Sequence, residues 1–341
     1  MKHWIGVIAG IGIALSTGAS KAETYTLSSY LTVKHWLVAD VLTEWTKEVD
    51  RETKGAVKIN ILATSLGKPE VQFDAARDGV ADIGLAVAGY TPGRFVLTNI
   101  GSLANVGSNA ESISGALWRL HEKFPEMQKE FEGVRTLSVF VTTGLQIWNN
   151  KRYVEKFDDY KGIKLHVSGG VIADMASALG AVPATQPTAT AYESVANGVT
   201  DGITMTVNGI QAFKIDKIVK YGTLLPGGYS RAPIILVMNQ AKFNSLSKEN
   251  QAILIKVSGE KLARNVGKIW EDKDLVSLKE VKALGVKVNE LSGDLLKQSH
   301  AAADQVTDKW LTEVKEKRNN YDGREFLKTF RAETKKIESG S

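Results

Sequence analysis

Apolar positions along the chain switch between two periods. Tyr25-Thr26-Leu27-Ser28-Ser29-Tyr30 alternates as a strand does, and Leu37, Val41, Leu42, Trp45 and Val49 then recur at helical spacing in a predicted helix over 35–53 that Gly55 stops. Val57 to Leu62 alternates again, Pro69 opens a helix carrying Val71, Phe73 and Ala76 that ends at Gly79, and Ala81 to Val87 reads as a buried strand. Strand, helix and strand in succession require crossover connections, so the pattern predicts an α/β fold with a largely parallel sheet covered by helices on both faces. Ligands collect beyond the carboxyl ends of such strands. Those ends carry Tyr30, the stretch Val87 to Tyr90, and a turn from Gly89 to Phe95.

The pattern continues with a helix over 109–131 and a strand over 134–142, after which Gln146-Ile147-Trp148 is placed at a crossing between two lobes. The run around Ile163 to Val167 sets Ile163, Leu165 and Val167 on one face and Lys164, His166 and Ser168 on the other. A short helix from Ala191 to Gly198 leads back to an extended segment, Val199 to Met205, and Pro233 to Asn239 reads as a buried strand assigned to the first lobe. Ser247 is a good N-cap, and the pattern stays helical from there to about Leu284, roughly 55 Å at 1.5 Å per residue. An unbroken helix of that length would run across both lobes. Helices over 291–318 and 325–337 complete the chain.

Composition narrows the picture in three ways. At 341 residues the chain exceeds the usual size of a single core, which favours two lobes, and 43% hydrophobic with 24% charged residues is that of an ordinary globular protein. Lys2 and His3 precede an apolar run from Trp4 to Leu15 and the small-residue site Ser20-Lys21-Ala22, so residues 1–22 read as a cleaved secretory signal. The absence of cysteine suits an oxidising space and removes thiol catalysis and cysteine-based zinc sites, while a net charge of +5 that falls to +3 without Lys2 and Lys21 gives no case for a nucleic-acid partner.

Several short stretches, Ser65-Leu66-Gly67, Asp78 to Ile83, Gly89 to Phe95, Tyr160-Lys161-Gly162-Ile163-Lys164, Leu179 to Pro183 and Tyr192 to Gly202, carry a resemblance in their order and spacing. Over nearly all of its length after the signal, the chain resembles the periplasmic solute receptors of tripartite ATP-independent periplasmic (TRAP) transporters, of the C4-dicarboxylate type. The resemblance implies a two-lobed, Venus-flytrap binding protein of the periplasm with mixed, mostly parallel sheets and one long helix crossing both lobes. Residues 23–147 and 230–275 would form lobe I, 148–229 and 276–335 lobe II, and 336–341 a tail. Such a receptor takes a small organic solute between its lobes and passes it to membrane permease subunits driven by an ion gradient. One departure stands out: where the family pattern has an arginine that clamps a carboxylate, this chain has His166, and a second arginine position is Gln146. A neutral imidazole lacks the bidentate charged fork of a guanidinium, so the solute is expected to be held by other means, with Arg94, Arg152 and Arg231 as possible substitutes.

The candidate solute contacts are His35, Trp36, Tyr90, Gln146, Trp148, His166, Met205 and Tyr229. Each has a competing role: Trp36, Trp148 and Met205 could be packing, His35 could cap its helix, Tyr90 could pack its turn, and Gln146 and Tyr229, like Asn208, Thr204 and Thr206, could satisfy backbone groups. Catalytic, cofactor and metal residues are not expected. The five histidines, His3, His35, His121, His166 and His300, lack metal-ligand spacing, and no Gly-x-Ser-x-Gly, phosphate-loop or His-Glu-x-x-His motif is present. A receptor for an ABC importer or a sensor system, or a periplasmic enzyme, are the rival readings.

Overall fold

The computed structural model describes residues 22–340, and the expected signal lies outside them apart from Ala22. Among the described residues eleven strands occur: β1 (Glu23–Ser29), β2 (Val57–Ile61), β3 (Ile83–Val87), β4 (Val134–Val141), β5 (Gln146–Asn149), β6 (Lys164–Val167), β7 (Val182–Thr185), β8 (Gly202–Met205), β9 (Tyr221–Leu224), β10 (Pro233–Asn239) and β11 (Lys287–Glu290). They make two sheets, one of five strands in the order β2-β1-β3-β10-β4 and one of six in the order β11-β9-β5-β8-β6-β7. Each sheet centres one of two lobes, as the α/β two-lobed reading requires.

Both sheets are mixed by a single reversed strand. β10 runs antiparallel to β3 and β4, and β5 runs antiparallel to β8 and β9. These are the strands entered directly from the other lobe, without a helix between. A strand fed by a crossover helix ends at the cleft, whereas one that crosses straight over begins there and must point the opposite way. The carboxyl ends of β1, β3 and β4 therefore face those of β6, β7 and β8.

The two crossing segments touch at glycine. Leu145 and Ser230 form an antiparallel bridge, and a Cβ on Gly144 or Gly228 would come within 2.7 or 2.3 Å of the opposite backbone. Gly228 also holds φ at +88°, which side-chain-bearing residues rarely adopt. The crossing thus lies just before β5. Gln146 and Trp148, expected at it, are instead inside the second sheet, because pairing with β8 and β9 starts at Gln146 and Ile147.

Three predicted helices are shorter than their periodicity suggests. The first opens as a π-helical turn, Leu37–Leu42, before the α-helix Thr43–Glu52. The helix expected over 109–131 stops at Lys123, since Phe124 is extended ahead of Pro125, whose ring disfavours a helical predecessor. The helix expected over 247–284 divides at Ser258 into Lys248–Val257 and Gly259–Ala283, of 10 and 25 residues. Gly259 has φ +50° and an added Cβ would lie 3.2 Å from the Trp118 ring, while Ser258 Oγ accepts from Trp45 Nε1. Close packing, invisible to periodicity, sets that break. The 25-residue piece still spans both lobes, packing on the helix Ala110–Lys123 and β4 of one and on the short helix Val207–Ala212 of the other.

At the C-terminus, Gly293–Lys317 leaves the second lobe and reaches the first, where Trp310 Nε1 donates to the Val96 carbonyl at 2.8 Å. The last helix, Gly323–Glu338, packs on Ala110–Lys123 of the first lobe with Glu333 3.1 Å from Arg119. The expectation put most of that helix in lobe II and began a tail at 336. Instead Phe326 meets Phe124 with ring centroids 4.9 Å apart and Ile337 lies against Gly115, both of the first lobe.

Candidate functional site

The facing strand ends and the glycine crossing enclose a small cavity, in which the centres of water molecules could occupy about 80 Å³. Tyr30, Leu31 and Tyr90 follow β1 and β3, Thr142 and Leu145 come from one crossing segment, and Ala232 from the other. The second lobe contributes His166 and Ser168 at the end of β6, Thr188 after β7, Ile203 to Thr206 around the end of β8, and Asn208, Gly209 and Phe213. Trp270, on the long helix, completes the wall.

Two hydrogen-bonded residue pairs cross between the lobes at the mouth. The Tyr90 hydroxyl lies 2.9 Å from Thr188 Oγ1, and Trp36 Nε1 donates to Asn208 Oδ1 at 3.0 Å. Trp36 also meets Trp270 edge-on, with ring centroids 5.0 Å apart, and has Lys273 Nζ 5.2 Å from its own. The lobes are therefore held closed over the cavity by side chains of both.

His35, Tyr90, His166 and Met205 are brought together on the inner wall, and Trp36 stands in the outer vestibule that shares several of the same residues. Gln146, Trp148 and Tyr229 are not in the lining. Gln146 is stapled to the Leu225 backbone, accepting its N–H at 2.9 Å and donating to its carbonyl at 3.2 Å. Trp148 is fully buried in the second lobe's core and donates to the Met205 carbonyl. Tyr229 is buried with its hydroxyl 2.6 Å from that of Tyr160. In each case a polar group that looked free for a solute is needed to satisfy the fold.

The cavity is walled without a charged side chain. Arg94 pairs with Asp74 at 2.8 Å and lies over the Phe73 ring, Arg152 is not in the lining, and Arg231 is buried behind the wall toward Glu271 and Glu338. None of the three lines the cavity. Burial lowers the pKa of His166, although the carbonyls of Pro187 and of His166 itself pull it partly back. Burial, reinforced by the Lys273 charge, lowers His35 to about 4. Both imidazoles are neutral at pH 7.

Most polar groups of the wall are already engaged. Thr142 Oγ1 accepts from Ala232 N, and Thr206 Oγ1 from Gly209 N. Three buried atoms are without a partner: His166 Nε2, Thr204 Oγ1 and Trp270 Nε1. An unpaired buried polar atom costs about 1–3 kcal/mol, so these three mark where a guest would be gripped.

Sequence reasoning overlooked Phe213 and Trp270 as lining residues. Trp270 belongs to an ordinary apolar stripe, and only the packing of its helix turns it toward the cleft. Thr188 had a readable signal, since it follows the Val182-Pro183-Ala184-Thr185 stretch at a strand end.

Residues 27–313 match the bacterial extracellular solute-binding proteins of family 7. A TRAP periplasmic solute-binding protein from Bordetella bronchiseptica, solved with bound (R)- and (S)-mandelate, is 32% identical with a TM-score of 0.87, over 92% of this chain and 99% of that one. A marine-metagenome TRAP solute-binding protein specific for aromatic acid ligands, solved with 3-hydroxybenzoate, is 27% identical with a TM-score of 0.87, over 93% and 99%. The protein TsaT of Comamonas testosteroni, called an outer membrane transporter protein, is 26% identical over 321 residues, 92% of this chain and 93% of its own. With its two-sheet fold and interlobe cavity, the chain belongs to family 7 of the bacterial extracellular solute-binding proteins, as a TRAP periplasmic receptor and not an enzyme.

Proposed function

We propose that this protein captures a small aromatic acid between its lobes and delivers it to a TRAP permease. The observation that carries the reading is the wall itself: Tyr30, His35, Tyr90, Phe213 and Trp270 surround the cavity, and no arginine or lysine lines it. Aromatic faces suit a ring, and neutral donors can hold one carboxylate. A C4-dicarboxylate would bring two anionic groups into a space without a cation, which disfavours the dicarboxylate type. The aromatic acids bound by the similar proteins from Bordetella bronchiseptica and the marine metagenome support the same class. His35, Tyr90, His166 and Met205 would touch the solute, while Trp36 would hold the lobes shut. Binding that engages both lobes only when closed shifts the population toward the closed form.

A thermal-shift screen tests this. Benzoate, mandelate and 3-hydroxybenzoate should each raise the melting temperature, a solute at 100 times its Kd adding about 2.7 kcal/mol of stability. Succinate and malate should have no effect. Stabilisation by the dicarboxylates alone would overturn the assignment.

A further inference from the structure

Resting on the aromatic-acid reading, we propose that the solute lies with its acid group outward, against Lys273 and Trp270 Nε1–H, and its ring inward, where a hydrogen-donating substituent meets His166 Nε2. The orientation follows from how charge and unpaired atoms are distributed. Lys34 and Lys273 line the vestibule, and the inner cavity has no cation. Lys273 is one helical turn beyond Trp270, so the two project on one side of the long helix. Trp36 gathers both, one ring edge-on at 5.0 Å and one ammonium at 5.2 Å. Asp40, 3.7 Å from Lys273, is nearly two-thirds exposed and weakened as a competitor by water.

The inner end is built for the opposite pole. A second carboxylate placed among the inner residues would meet no cation. The carbonyls of Pro187 and His166 beside the imidazole favour the proton on Nδ1, and Nε2 is without a partner. A neutral ring so held presents Nε2 as a lone-pair acceptor. That acceptor calls for an O–H or N–H, as a ring hydroxyl or amine supplies, and discriminates against an unsubstituted ring because Nε2 would stay unpaired.

Calorimetric titration of benzoate, 3-hydroxybenzoate and phenol into the wild type, Lys273→Ala and His166→Ala separates the two poles. Lys273→Ala should weaken both acids by about tenfold and leave phenol unchanged. His166→Ala should remove the preference for 3-hydroxybenzoate over benzoate, bringing the ratio of the two affinities to about one. Lys273 is one-third exposed, so its removal spares the fold, and melting temperatures check both variants. The orientation is overturned if Lys273→Ala binds both acids as the wild type does, or if His166→Ala weakens benzoate and 3-hydroxybenzoate equally. If the wild type binds neither acid, the aromatic-acid reading itself fails, and the orientation with it.

Discussion

Glu130 and Asp274 are both carboxylates buried where distant parts of the chain meet, and the fold compensates them differently. Glu130 accepts from the N–H groups of Leu97 and Thr98 at 2.7 and 2.9 Å, from Thr98 Oγ1 at 2.8 Å, and from the Arg318 guanidinium at 2.8 Å. It ties the end of the helix Gly293–Lys317 to the first lobe. Asp274 joins the long helix to Thr143 in the crossing segment and to Asn208 in the second lobe, and among the described residues no cation pairs with it. Burial raises both pKa values, but in Glu130 the hydrogen bonds and Arg318 offset much of it, whereas Asp274 reaches about 7. The contrast separates a junction inside one body, locked by an ion pair, from one at the joint between lobes, held by bonds whose strength varies with pH.

Replacing Asp274 gives the largest expected effect. A buried acid whose pKa is raised from 3.8 to about 7 binds its proton more tightly folded than unfolded. Stability from this group is therefore full below pH 3.8 and is lost as pH rises toward 7. Asp274→Asn removes that dependence. Relative to wild type, the variant should gain on the order of 4 kcal/mol between pH 4 and pH 7.5, read from urea midpoints across that range. A parallel pair of stability curves would show that the joint does not titrate. Glu130→Ala comes next, because it strands two backbone donors, a hydroxyl and Arg318. About 3 kcal/mol of stability should be lost at pH 7 in urea denaturation, and a loss below 1 kcal/mol would erase the distinction between the two junctions. The smallest effect belongs to a bond between neutral groups. Trp36→Phe keeps a ring at the mouth but deletes the donor to Asn208, weakening solute binding about fivefold by calorimetry, the equivalent of about 1 kcal/mol. Unchanged affinity would mean that the latch does not contribute to closure.

How far the site was legible depends on what kind of signal each residue carries. Tyr90, His166 and Met205 follow from a topological rule, since strand ends in parallel sheets point at the cleft wherever the strands fall. Gln146 and Trp148 were misplaced because the position of the crossing was set two or three residues too late. Gly144, whose backbone must approach Gly228, marked it in the chain, but that approach is known only once the two segments meet. Tyr229 shows a different limit: its hydroxyl is taken up by Tyr160, 69 positions away, and no local pattern reports such a partner.

The linear order of apolar and polar residues was enough to determine the alternation of strands and helices, the two lobes and the side of each sheet on which a guest would lie, because those properties depend on period and chain connectivity. Only the folded arrangement decided which polar atoms remain free in the cavity, that Trp270 faces it, and that no guanidinium reaches it. Hydrogen bonding and burial are settled between residues far apart in the chain, and a side chain is available to a solute only after the fold has satisfied its own groups.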